Sequence, residues 1–145
     1  MELMPKLNNY DIDVLVAIGN ASQDEFSREE IKKLLTDKIL KLHSPMFFLL
    51  NKFKKSNNIL KCAYARSILI RLNDENFLID DNLMDEILSL VSLEDLAIYG
   101  SEVISLEIRN KCSKIVWNSL MFDDSSEFAK KNVMYCKRKI IYKLR

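Results

Sequence analysis

Few side chains in this sequence have the spacing that catalysis or metal binding requires. His43 is the only histidine, so a Ser-His or Cys-His nucleophile would depend on it alone. It follows a helical pattern and stands just before Ser44 and Pro45, where a cation is favoured by the carbonyl end of the helix dipole. We interpret His43 as a helix-end residue and do not expect catalysis through it.

The three cysteines, Cys62, Cys112 and Cys136, could in principle join His43 in a zinc site. Zinc motifs normally bring two ligands within a few residues of each other, and no such pair occurs here. Each cysteine falls among apolar residues of a predicted helix, where a thiol behaves as a small hydrophobe. The odd number and wide spacing favour free thiols in a reducing cytoplasm. We therefore expect no metal and no other cofactor.

Adjacent carboxylates occur at Glu29-Glu30, Asp80-Asp81 and Asp123-Asp124. Neighbouring residues on a helix point about 100° apart, so these pairs do not converge on one substrate. Each pair stands near a predicted helix start, where acids complement the dipole. Only two glycines are present, which excludes the glycine-rich loops that cradle phosphates. The chain is predicted not to be an enzyme.

The elements that must position these residues are predicted to be helices. In residues 25–42, Ser27 and Glu30 form a capping box, and Phe26 with Ile31 form the matching hydrophobic staple. The apolar face of this helix is predicted to hold Ile31, Leu34, Leu35, Ile39 and Leu42.

The remaining helix starts are also marked by capping residues. Residues 10–20 alternate as in a strand, but one isolated strand would have no partner, so we predict a helix there. Residues 57–72 are apolar around much of the circumference and predict a central helix. A final helix is predicted from Phe128. The predicted starts between these segments are Ser44 with Pro45, Asp80 or Asp81, Ser92 with Asp95, and Ser101 after Gly100.

The fold class that follows is all-α, with seven or eight short-to-medium helices in a single domain of residues 1–145. A faint echo between residues 61–77 and 111–128 favours stacked helical hairpins, as in HEAT repeats, over a globular bundle. Apolar runs such as Met46–Leu50 are far shorter than the roughly 18 residues of a bilayer span. The first residues lack a secretory pattern. We expect a cytoplasmic protein with no membrane partner.

The distribution of charge is the main anomaly. Residues 73–108 contain ten acidic residues and no Lys or Arg, while residues 1–72 carry a net charge of +4 and residues 109–145 a net charge of +7. Acids in the first turns of helices are explained by the dipole. Asp81 and Asp85 stand four apart as like charges, which is mildly destabilising on a helix. The acids that capping does not explain are Asp74, Glu75, Asp85, Glu86 and Glu107.

Two interpretations of this acidic segment remain open. The flanking cations could fold back and neutralise it, because surface charges usually mix. Alternatively, the segment is a docking surface for a basic protein partner, such as a nuclease toxin, with the five unexplained acids as the binding residues. The second interpretation predicts an inhibitor of the immunity or antitoxin type that is monomeric or weakly dimeric. It rests on an analogy with small acidic-faced inhibitors and on no shared motif.

Two other functions fit parts of the sequence. A viral Bcl-2-like regulator would bind a partner's amphipathic helix in a hydrophobic groove, which the all-α pattern and length allow. A nucleic-acid binder would use the basic C-terminal helix, with Lys137, Arg138 and Lys139 as contacts. A solvated helix face explains these cations more simply, so we do not expect nucleic acid as the partner.

Overall fold

The computed structural model describes residues 10–122, and over that range the chain forms seven α-helices and one 3-10 helix without any β-strand. The all-α prediction is confirmed. The predicted helix after Phe128 lies outside the described residues. The α-helices are α1 (Ile12–Ala21), α2 (Glu25–Lys41), α3 (Met46–Lys55), α4 (Asn58–Arg71), α5 (Asp81–Ser89), α6 (Leu93–Ile98) and α7 (Leu106–Phe122), and the 3-10 helix is Gly100–Glu102.

The chain divides into two compact units, residues 1–68 and residues 69–145. This division does not test the prediction of a single domain, which stays a prediction, as does the preference for stacked hairpins. No helix in residues 10–122 is long and apolar enough to cross a bilayer.

In the first unit, the ambiguous segment of residues 10–20 is helical, as predicted. It forms α1, which packs against α2 through a face that includes Leu15 and Gly19. Gly19 allows a close approach, because a Cβ there would stand 2.5 Å from Cδ1 of Ile59. The side chain of Asn20 accepts a hydrogen bond from the Ile59 backbone N–H at 3.3 Å, which joins the end of α1 to the start of α4.

The predicted start of α2 is wrong by about one turn. Asp24 is the cap, and its carboxylate accepts hydrogen bonds from the Ser27 backbone N–H at 3.0 Å and from the Ser27 hydroxyl at 2.8 Å. The hydrogen bond from the Ser27 hydroxyl also lowers the pKa of the Asp24 carboxyl. Phe26 is 72% exposed and forms no staple, and Leu42 is 60% exposed instead of lying on the buried face.

Residues with positive φ lie before α3 and at the first position of α4. His43 has φ of 50°, and Asn58 has φ of 55°. Pro45, not Ser44, takes the N-cap position of α3, so the helix begins at Met46, one residue later than predicted. Every residue of α4 from 63 to 69 is buried, which agrees with the predicted apolar circumference of this helix.

In the second unit, the predicted caps of α5 and α6 are confirmed. The Asp80 carboxylate accepts from the backbone N–H groups of Asn82 and Leu83 at 3.1 and 3.3 Å. The Ser92 hydroxyl accepts from the Asp95 N–H at 3.2 Å. Both caps satisfy amides that a helix start leaves without an intrahelical partner.

The start of α7 differs from the prediction. Ser101 belongs to the 3-10 helix, where its hydroxyl donates to the Ile98 carbonyl at 3.0 Å. Leu106 begins α7, and the Ser105 hydroxyl accepts from the Ile108 N–H at 3.4 Å. The glycine before Ser101 permits this arrangement, because a Cβ on Gly100 would stand 2.6 Å from the Cβ of a residue on α7, Cys112.

Asn73, the first residue of the acidic segment, connects two helix ends of the second unit. Its side-chain amide donates to the carbonyl of Leu69 at the end of α4 and to the carbonyl of Tyr99 after α6, both at 3.0 Å. The Ile104 N–H also donates to the Leu72 carbonyl at 3.1 Å. These bonds fix the chain on either side of residues 74–103 and so position α5 and α6.

Candidate protein-binding site

Two of the five predicted binding acids form ion pairs with cations that lie just outside the acidic segment. Glu75 pairs with Arg71 at 2.8 Å, and Asp85 pairs with Lys111 at 2.9 Å. Flanking cations therefore do fold back at these two positions, as the neutralisation interpretation expects. Neither pair is deeply buried, since the Glu75 side chain remains 38% exposed and the Asp85 side chain 62% exposed.

Lys111 on α7 is surrounded by more negative charge than it can neutralise. The hydrogen bond from its ammonium group to Asp85 raises the pKa of Lys111, burial opposes this rise, and the charges of Asp85, Asp81 and Glu107 add to it. Asp81 and Asp85 stand on α5, while Glu107 stands on the first turn of α7. Three carboxylates thus act on one ammonium group, and the cluster keeps a negative charge.

This cluster lies at a cavity of about 200 Å³ that we call the acidic pocket. The cavity separates the chain before α5 from the start of α7, and it has apolar and charged walls. Its apolar residues include Met84 and Ile108, which are almost fully buried. The complete lining is Asn76, Phe77, Leu78, Ile79, Asp81, Met84, Ser105, Glu107, Ile108 and Lys111.

The structure brings only part of the predicted set together. Asp85 and Glu107 both act on Lys111, and Glu107 lines the acidic pocket. Asp74, Glu75 and Glu86 are not among the lining residues, although Asp74 and Glu86 are exposed. The assignment of all five as partner-binding residues stays a prediction.

Asp81 lines the acidic pocket, although its place in the first turn of α5 is already explained by the helix dipole. The signal that could have found it is the like-charged spacing of Asp81 and Asp85, which a helix tolerates poorly unless a cation stands between them. Lys111 supplies that cation from α7. The apolar part of the pocket has no comparable signal in the sequence.

A basic stretch that mirrors the acidic segment was also missed. Residues 38–73 contain eight Lys or Arg residues and no Asp or Glu. Part of this stretch is α3, which exposes Phe47 and Phe48 beside its lysines, and the ammonium of Lys52 lies 5.4 Å from the centroid of the Phe48 ring. Along the chain, a segment with only basic charges is therefore followed directly by a segment with only acidic ones.

The residues considered for nucleophilic or metal chemistry are dispersed. Cys112 is fully buried, and this burial raises the pKa of its thiol to about 12, while Cys62 is half-buried on α4. His43 lies exposed after the end of α2. Cys136 lies outside the described residues. Within residues 10–122 no group of three or more His, Cys, Asp or Glu side chains could hold a metal ion.

Comparisons with protein families, with curated proteins and with solved structures found no match to this chain. The helix-groove and nucleic-acid functions therefore stay predictions. The second of these depends on Lys137, Arg138 and Lys139, which lie outside the described residues.

Proposed function

We propose that this chain is a non-enzymatic module that binds and neutralises a basic protein partner through the acidic surface of residues 73–108. The observation that carries the proposal is the cluster in which Asp81, Asp85 and Glu107 all act on the ammonium group of Lys111. This site remains negative after a flanking cation has folded onto it. A surface of this sign attracts a basic partner and accelerates its association.

A nuclease toxin is the partner class that we put first. Its substrate groove must hold phosphates and is therefore lined with cations, which an acidic surface complements. Small inhibitors that block such grooves from an acidic face are the immunity type of protein, and the likeness to this chain is one of type, not of motif. A cytoplasmic location and a monomeric or weakly dimeric state belong to the same proposal.

The binding acids differ in how readily they can meet a partner. Glu75 and Asp85 already hold cations at 2.8 and 2.9 Å, whereas Glu107 lines the acidic pocket and acts on Lys111 only as a further charge. Exposed ion pairs are worth about 0–1 kcal/mol, so a partner's arginine can share or displace them. We add Asp81 to the five predicted residues because it lines the same pocket.

The test compares two variants that lose the same number of charges. The first changes the five predicted acids to amides: Asp74→Asn, Glu75→Gln, Asp85→Asn, Glu86→Gln and Glu107→Gln. The matched control does the same to five acids of the first unit, two of which also hold lysines (Glu29 with Lys32 and Glu30 with Lys33): Asp13→Asn, Glu25→Gln, Glu29→Gln, Glu30→Gln and Asp37→Asn.

Each immobilised protein is incubated with a lysate of the native host, and the captured fraction is assayed for cleavage of RNA and DNA. We expect the wild-type chain and the control to capture a basic protein and to suppress its nuclease activity. The five-site variant should lose this capture, because loss of one acid from a desolvated interfacial pair costs about 2–5 kcal/mol. Equal capture by both variants, with circular dichroism showing both folded, would refute the proposed function.

A further inference from the structure

The segment between Arg71 and α5 resembles a strand that lacks a partner. Residues 75–80 are in neither a helix nor a turn. Exposure alternates along them: Phe77 and Ile79 are half-buried, while Asn76 is exposed and Leu78 is 97% exposed. A period of two in exposure is the side-chain pattern of an extended chain, and all four residues of Asn76–Ile79 lie along the acidic pocket.

The backbone of this segment also has unused hydrogen-bonding capacity. The Glu75 N–H donates to the Arg71 carbonyl, and the Asp80 carbonyl accepts from the Met84 N–H. Between these two bonds, the backbone groups of residues 76–79 make no hydrogen bond within the described part of the chain. An extended segment with unpaired N–H and C=O groups is the template onto which a peptide adds as a further strand.

The walls of the acidic pocket indicate the chemistry of such a peptide. Phe77, Ile79, Met84 and Ile108 supply the apolar part of walls that are otherwise polar, and the volume of about 200 Å³ is below the roughly 300–1,000 Å³ of small-molecule sites. The space suits one large aliphatic side chain. At the rim, Asp81 and Glu107 leave net negative charge beside Lys111, which favours a basic occupant over an acidic or neutral one.

We propose that Asn76–Ile79 receives an extended basic segment of the partner as an added strand, with one aliphatic side chain in the acidic pocket and, two residues away on the same face, a Lys or Arg against Asp81 and Glu107. This inference rests on the proposed function and specifies how the basic partner is held. A second copy of this chain is a poorer occupant, because its own segment would bring Asp80 and Asp81 against the same carboxylates.

The test uses synthetic peptides, so the folding of a variant does not limit it. The probe is an acetylated, amidated heptapeptide with leucine at position 4, lysine at positions 2 and 6 and serine elsewhere, so that leucine and lysine share one face of the extended peptide. Two controls keep its charge: one carries N-methyl groups on alternate backbone nitrogens, and the other replaces the leucine by serine. Titration calorimetry with the full-length chain should show at least tenfold weaker binding for each control, because one loses backbone donors and the other loses the apolar anchor.

Protein variants locate the binding. The double variant Asp81→Asn with Glu107→Gln should bind the probe at least tenfold more weakly. The charge-matched double variant Glu25→Gln with Asp37→Asn, which changes exposed acids outside residues 73–108, should stay within about twofold of the wild-type affinity. Equal binding of the probe and its N-methylated control would overturn strand addition, and equal weakening by both protein variants would overturn the location.

Other occupants give separate results. If the chain associates with itself in sedimentation and the probe prevents this association, the edge binds a second copy of the chain. That result would overturn the inference. A tenfold gain in probe affinity on changing Lys137, Arg138 and Lys139 to Gln would show that the chain's own basic residues occupy the edge. That result would also overturn the inference. If only the peptide results fail while the five-site variant loses its partner, the proposed function stands without this binding mode.

Discussion

Burial changes the ionisation of the Cys112 thiol, and this gives the stability of the protein a pH dependence. The pKa rises from its ordinary value of 9.0 to about 12 in the folded state. Between these values the unfolded chain loses the proton and the folded chain keeps it, so the free energy of unfolding falls as pH rises. Below pH 9 both states keep the proton, and the effect is absent.

To test this dependence, the free energy of unfolding in urea is measured for the wild-type protein and for Cys112→Ala at pH 8, 9.5 and 10.5. The wild-type free energy of unfolding should fall more steeply above pH 9, by up to about 1.4 kcal/mol per pH unit. Lysines and tyrosines also titrate in this range, but they are common to both proteins and cancel in the difference. Parallel pH curves would show that the thiol does not contribute.

Because Gly100 lies so close to α7, we predict that this position does not tolerate a side chain. In Gly100→Ala the new Cβ would stand 2.6 Å from the Cβ of Cys112, an atom fixed to the helix backbone. We expect a loss of about 1–3 kcal/mol in the free energy of unfolding, as for other overpacked sites. Gly19→Ala is the control, because its nearest neighbour is the movable Cδ1 of Ile59 and alanine favours the helix. Chemical denaturation showing equal losses at both sites would contradict the argument.

At the scale of single elements, the cap of α5 should be worth a measurable part of the stability. Asp80→Ala removes the acceptor for two backbone N–H groups, those of Asn82 and Leu83. The expected loss is about 0.5–2 kcal/mol in urea unfolding. Asp74→Ala removes an exposed acid from a turn and should change stability by less than about 0.5 kcal/mol. A loss at Asp74 as large as that at Asp80 would show that charge, not capping, is responsible.

Helix identity could be predicted from the sequence, but helix ends could be predicted only where one capping signal stood alone. Ser92 has no competitor nearby, and Asp80 has only its neighbour Asp81 as an alternative, so both starts are predicted to within one residue and are confirmed. Before α2 two signals overlap, and Asp24 caps the helix with Ser27 as its donor, although Ser27 itself begins a capping box. Ser101 failed as a start because its place in the 3-10 helix depends on the packing of Gly100 against α7, which local sequence does not encode.

At the scale of the whole molecule, the separation of charge predicts how partner binding responds to salt. The acidic residues of 73–108 follow a stretch, residues 38–73, that has only basic ones. A partner of either sign is therefore steered over a distance, and this steering is screened beyond about 8–10 Å near physiological ionic strength. For the captured basic protein, the association rate should fall steeply from 20 to 300 mM NaCl while the dissociation rate changes less. Surface plasmon resonance showing salt-independent association would contradict a charge-steered interface.

The charge pattern could be predicted from the sequence because counting residues requires no fold, whereas the acidic pocket could not. The pocket forms only when residues 76–79, the first turn of α5 and the first turn of α7 meet, and these segments are separated along the chain. Neither Met84 nor Ile108 differs in sequence context from an ordinary core residue. The criterion that separates the five acids is that capping does not explain them, and it excludes Asp81, which lies both at the start of α5 and in the lining of the pocket.

The exposed edge at Asn76–Ile79 also has a consequence for solubility. An unpaired edge that carries a side chain such as Leu78, 97% exposed, can pair with the same edge of another molecule and begin aggregation. Asp74, Glu75, Asp80 and Asp81 flank this edge on both sides. Charges in this position act as gatekeepers, because two approaching edges would bring like charges together. The acidic residues would then protect the chain that carries them, independently of any partner.

This role predicts turbidity when the flanking charges are removed. The triple variant Asp74→Asn, Glu75→Gln and Asp81→Asn should scatter more light than wild-type protein on storage at high concentration, and Leu78→Ser in the same background should restore a clear solution. The wild-type chain should approach the behaviour of the triple variant in 1 M NaCl, where charges are screened within about 3 Å. If Leu78→Ser leaves the turbidity unchanged, another surface aggregates. If it clears the solution, the flanking acids prevent aggregation through the exposed edge at Asn76–Ile79.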